Sequence, residues 1–125
     1  MILPRLKANY FQDLNNKRLN VGGSPPFEIE CSDIAASAKE LFGFESNSDY
    51  NKFLPLNFVR IINNGGTDLK IYLNQGSNGE TILDDTIYSA NQIFRSFIVE
   101  NLDSSNAVDG SKVYITVQRK PRGGY

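Results

Sequence analysis

From Phe53 to Gln118 the chain is a run of short apolar segments with a period of two, separated by clusters of Gly, Asn, Asp and Ser. That spacing restricts it to an antiparallel sandwich or barrel, because each segment is too short for a helix and one face of each needs cover. Leu56–Ile62 is apolar on both sides for part of its length and is expected to lie centrally. Leu69, Ile71 and Leu73 alternate with Lys70 and Tyr72, and Asn63-Asn64-Gly65-Gly66 before them is expected to close a hairpin between these two strands.

Thr81–Leu83, ending at Asp84-Asp85, and Thr86–Tyr88 are shorter strands. Ile93–Val99 is a stronger one, with Ile93, Phe97 and Val99 on one face beside Arg95 and with Phe94 and Ile98 on the other. Val113, Ile115 and Val117 face inward opposite Lys112, Tyr114, Thr116 and Gln118 in the clearest strand of all. Upstream, Phe27-Glu28-Ile29-Glu30-Cys31 alternates apolar and acidic residues as a half-buried strand does. Between these regions Ser32 is positioned to cap one short helix, with Asp33 in its first turn, Ile34, Ala38 and Leu41 on a stripe and Gly43 as its stop.

The organisation is therefore an extended N-terminal arm and linker over 1–26, a mainly all-β sandwich domain over 27–119, and a basic tail over 120–125. The arm ends in Gly22-Gly23-Ser24-Pro25-Pro26, where the prolines favour extended backbone. It carries Leu3, Leu6, Tyr10, Phe11 and Leu14, more apolar surface than a free tail in water tolerates, so a covering partner is expected.

Charge is segregated although the net value is only −1. Arg5, Lys7, Lys17 and Arg18 stand against Asp13 in the arm, and Lys112, Arg119, Lys120 and Arg122 occupy an acid-free end. The middle has five basic residues against the other 13 acids, a balance of −8. An acidic body with basic ends is suited to contacts with acidic protein, lipid headgroups or nucleic acid through those ends, or leaves them simply solvated.

The residues available for chemistry are few. With no histidine, the commonest general base and neutral metal ligand are missing, and the single Cys31 rules out an intrachain disulfide and a structural zinc site. Cys31 is expected as a small buried apolar residue in preference to a reactive thiol. Glu28 and Glu30 form a carboxylate pair on an outward strand face, and Asp84-Asp85 could offer oxygens to calcium, but the spacing of a calcium loop is lacking. No glycine-rich phosphate loop is present. No enzyme activity, metal, cofactor or small-molecule substrate is expected. The 40% hydrophobic and 22% charged composition fits a soluble globular domain, and neither a membrane-spanning run nor a signal peptide is read.

From Leu56 to Lys120 the order is a strand into Asn-Gly-Gly, a strand ending Leu-Asn, a loop, Ile-Tyr-Ser-Ala-Asn, a strand into Val-Glu-Asn-Leu, and a final Lys-Val-Tyr-Ile-Thr-Val strand. This resembles the small β-sandwich structural proteins of phages and other viruses, including single jelly-roll penton and minor capsid proteins. The resemblance covers about half the chain. It implies a virion component made in the host cytoplasm, a homo-oligomer with the pentamer of a capsid vertex expected first, and contacts with other capsid proteins or an underlying membrane through the termini. Seven strands are named against the eight of a full jelly roll, so a simpler sandwich stays open. The alternative is a carbohydrate- or receptor-binding module that uses Tyr72, Tyr114 and the Asn-rich loops at Asn63-Asn64 and Asn74–Asn78.

Overall fold

A computed structural model describes residues 23–121. It contains eight strands: β1 Phe27–Ile29, β2 Lys39–Gly43, β3 Phe58–Asn63, β4 Leu69–Leu73, β5 Glu80–Ile82, β6 Thr86–Ala90, β7 Ser96–Asn101 and β8 Val113–Gln118. They form two antiparallel four-stranded sheets, ordered β1-β8-β3-β6 and β2-β7-β4-β5.

The order has a simple logic. β1 pairs with β8, β2 with β7, β3 with β6 and β4 with β5, as if one long hairpin had been folded over at its β4–β5 tip and rolled up. Rolling then brings β3 beside β8 and β4 beside β7. This is the jelly-roll arrangement, two interlocked Greek keys. The tip turns tightly because Asn74 and Gln75 both adopt positive φ, 54° and 58°, and the Gly76 N–H donates to the Leu73 carbonyl.

Period-two patterning assembles the core between the sheets. Val59, Ile61, Val113, Ile115 and Val117 from the first sheet face Phe42, Leu69, Ile71, Ile82, Phe97 and Val99 from the second, all buried. Aromatic rings fill one end: Phe42 stacks on Phe97 at 5.1 Å, and Phe44 meets Phe94 edge to face at 6.3 Å.

Three expectations are corrected. No helix spans Ser32–Gly43: Ile34 forms an isolated bridge with Val108, the chain turns at Ala36-Ser37, and Lys39–Gly43 is β2. The residues that decide this are Phe42 and Phe44, both buried, whereas Leu41 from the supposed helical stripe is 57% exposed. That segment supplies the eighth strand. Helical geometry among the described residues is confined to single 3₁₀ turns at Asn51–Phe53 and Gly110–Lys112.

The Asn63–Gly66 turn does not close a hairpin. It carries the chain from β3 in one sheet to β4 in the other, so the two strands share no ladder. The third correction concerns Ile93, which is 54% exposed instead of sharing a buried face with Phe97. Phe94 is held by reciprocal backbone hydrogen bonds to Leu56, both 2.9 Å, and a bend at Arg95 resets the alternation before β7 begins. Phe94 and Phe97, three residues apart, are consequently both fully buried.

Candidate functional site

The outer face of the β1-β8-β3-β6 sheet is assembled by cross-strand register. Glu28, Thr116, Arg60 and Ser89 form one row, and Tyr114, Ile62 and Ile87 form the next. The first row is polar with Thr116 as its buried floor, and the second is apolar, with Tyr114 55% and Ile87 67% exposed. A half-open groove of about 630 Å³ lies here, lined by residues 28–33 of β1 and its continuation, by Gly110, Ser111 and residues 113–116 of β8 and its approach, and by Arg60 and Ile62 of β3.

The groove's end is fixed by a close backbone crossing. Gly110 donates its N–H to the Asp33 carboxylate at 2.8 Å, and a Cβ at Gly110 would run into the backbone carbonyls of Cys31 and Ser32. Only glycine lets the two segments approach this closely. Glu28 and Glu30 are exposed, as their place on the outward face predicts. The ion pair found among the described residues is Arg95 with Glu45, 3.3 Å, so neither glutamate is ion-paired within them. Cys31 is half-buried against the core, and burial first, then the charges of Glu40 and Asp33, push its thiol up to about 11. A thiol held in that way is a poor nucleophile at neutral pH.

The two tyrosines lie on opposite sheets and are not brought together. Tyr114 offers its ring to the groove, whereas Tyr72, on the outer face of β4, is engaged by its neighbours. Its hydroxyl donates to Glu100 at 2.6 Å, the Lys39 and Lys70 ammonium groups sit 5.3 and 5.5 Å from its ring, and a Cβ on Gly79 would meet the ring at 2.8 Å.

Of the basic residues expected to make outside contacts, Arg119 and Lys120 are tied into the fold. Arg119 donates from its guanidinium to the carbonyls of Phe53 and Pro55, and its backbone N–H donates to the Ser24 hydroxyl. The Lys120 ammonium lies 3.8 Å from the Phe58 ring centre, while the Asn57 amide exchanges two hydrogen bonds with the Lys120 backbone. Leu3, Leu6, Tyr10, Phe11, Leu14, Arg5, Lys7, Lys17, Arg18 and Arg122 lie outside the described residues.

Asp84 and Asp85 act as loop fasteners. The Asp84 carboxylate accepts from the Gly66 N–H at 3.0 Å, its N–H donates to Asp68 at 2.8 Å, and the Asp85 N–H donates to the Asn63 carbonyl at 2.7 Å. No group of three or more His, Cys, Asp or Glu side chains among the described residues is arranged to hold a metal. The feature missed from the sequence is the groove; its one legible sign was that Ile62 and Ile87 leave apolar side chains on the solvent side of strands. A comparison with protein-family models finds no match, and a comparison with curated proteins finds none either.

Proposed function

We propose that this protein is a structural subunit of a virion, a penton or minor capsid component that assembles through its sandwich and its N-terminal arm into a closed homo-oligomer. The observation that carries the reading is the jelly-roll strand order, β1-β8-β3-β6 against β2-β7-β4-β5, an architecture shared by viral capsid and lectin domains. A strand order shared with capsid domains bears on role by analogy. It is supported by apolar side chains left on several surfaces, Leu41, Ile87 and Tyr114 among them, which a subunit interface would cover.

Light scattering on the purified full-length chain at two salt concentrations tests it. A discrete ring-sized oligomer, a pentamer foremost, is the expected result, and a monomer in every condition overturns it. The exposed ring of Tyr114 beside the groove favours a second reading, a carbohydrate- or receptor-binding module. A glycan array tests that reading: saturable binding lost in Tyr114→Ala supports it, and an empty array removes it.

A further inference from the structure

We propose that the groove on the outer face of the β1-β8-β3 sheet is the receptor for the N-terminal arm of a second copy of this chain. The inference rests on the assembly reading above and names its contact surface.

Groove and arm are complementary in chemistry. The groove presents an apolar strip of Tyr114 and Ile62 alongside the carboxylates of Glu28, Glu30 and Asp33 against a single cation, Arg60, and neither glutamate is ion-paired among the described residues. Residues 1–22 interleave the opposite charge with matching apolar side chains: Arg5 and Lys7 flank Leu6, and Lys17 and Arg18 precede Leu19. Desolvating the apolar strip supplies the driving force, while the charges set register and exclude other partners.

The exit direction of the arm argues for a second copy. At Gly23 and Ser24 the chain is still aligned with the end of β8, since the Ser24 N–H donates to the Arg119 carbonyl at 2.7 Å and the Gln118 side chain donates to the Ser24 carbonyl at 3.2 Å. The groove runs from Asp33 and Gly110, next to the start of β8, to Glu28 and Thr116. Gly23 and Ser24 lie just beyond that second end, and from Phe27 back to Gly23 the chain runs out of the groove along the end of β8, so filling its own groove would require a reversal of direction. Twenty-two residues can span up to about 70 Å when extended, ample for a neighbouring subunit.

The experiment is zero-length carbodiimide cross-linking of the full-length chain, prepared as an equimolar mixture of ¹⁴N and ¹⁵N copies and mapped by mass spectrometry, with the native mass measured on the same sample. Mixed-isotope links from Lys7 or Lys17 to Glu28, Glu30 or Asp33 are expected. A Tyr114→Ala, Glu30→Gln double variant, both positions being surface ones, should lower their yield about fivefold or more. An oligomer without these links, or with links confined to single-isotope peptides, overturns the inference and leaves the assembly reading standing. A monomer without links overturns both.

Discussion

Asn63 and Asn101 are equivalents of one another, each the last residue of a strand in the interior of its sheet and each fully buried. The Asn63 amide approaches the carbonyls of Thr67, Ile82 and Leu83 at 2.8 to 3.3 Å while its oxygen accepts from the Gly65 N–H. The Asn101 amide approaches those of Ile34, Ala35 and Asn106 at 2.9 to 3.3 Å while its oxygen accepts from the Asp103 N–H. Each side chain thus plugs the loops that leave its sheet, using donor and acceptor together in a place water does not reach.

Replacing either residue with alanine strands several buried carbonyls, which costs about 1–3 kcal/mol. Asn63→Asp and Asn101→Asp should be at least as harmful, since a carboxylate has no N–H to offer and adds a buried charge. Urea unfolding midpoints check this, and an unchanged midpoint for both alanine variants would show that these amides do not hold the loops.

Gly110→Ala is expected to destabilise the fold by about 1–3 kcal/mol and to open the end of the groove, because the new methyl group meets backbone atoms of Cys31 and Ser32, which cannot swing aside as the end of a flexible side chain would. Gly43→Ala is the control, since nothing lies within 4 Å of a Cβ there. Thermal melting of the two variants separates crowding from a general intolerance of substituted glycines.

Strand identity was legible wherever one face of a strand is covered and the other wet. β8 is the clearest case: Val113, Ile115 and Val117 are buried, and Tyr114 is exposed. β2 was obscured because its signal is short, with only Phe42 and Phe44 alternating, and the preceding Ser32-Asp33 and the alanines mimic a capped helix. Local propensity lost there to the pairing of Lys39–Gly43 with β7, a contact more than fifty residues distant that no window of sequence contains. The sheet assignment of β3 and β4 was hidden for the same reason, since a Gly-rich turn serves a hairpin and a crossover equally well. The groove was not legible because it depends on which strands become neighbours: Arg60, Glu28 and Tyr114 are far apart in the chain and meet only through the β1-β8-β3 order.

The two tyrosines should respond differently to truncation. Tyr114→Ala removes a largely exposed ring and should leave the melting midpoint close to that of the parent protein, while weakening whatever the groove binds. Tyr72→Ala removes the acceptor's partner at Glu100 and the ring between Lys39 and Lys70, and should lower the melting midpoint. In Tyr72→Phe the ring contacts remain and only the hydroxyl is lost, so its midpoint should fall between the two. Equal midpoints for Tyr72→Ala and Tyr114→Ala would contradict the structural role given to Tyr72. The phenol of Tyr72, raised first by its hydrogen bond to Glu100, should also ionise above the ordinary tyrosine range.

Cys31 gives the fold an alkaline sensitivity whose sign is determined by burial. The folded thiol sits at about 11 against an ordinary 9.0, so the folded state retains its proton over a range where the unfolded chain has lost it. A group raised in this way contributes its stability below the unfolded value and loses it as pH rises from about 9 to about 11, because ionisation then favours the unfolded chain. Two units also mean about a hundredfold less thiolate than a free cysteine holds at neutral pH, so alkylation by iodoacetamide should be slower by a similar factor. The two readouts should agree: the rate should climb with pH until about 11, and Cys31→Ala should show a flatter fall of unfolding midpoint above pH 9. Rapid alkylation of the native protein at neutral pH would show instead that segment 30–33, which lines the groove, opens readily and exposes the very side against which an arm would lie.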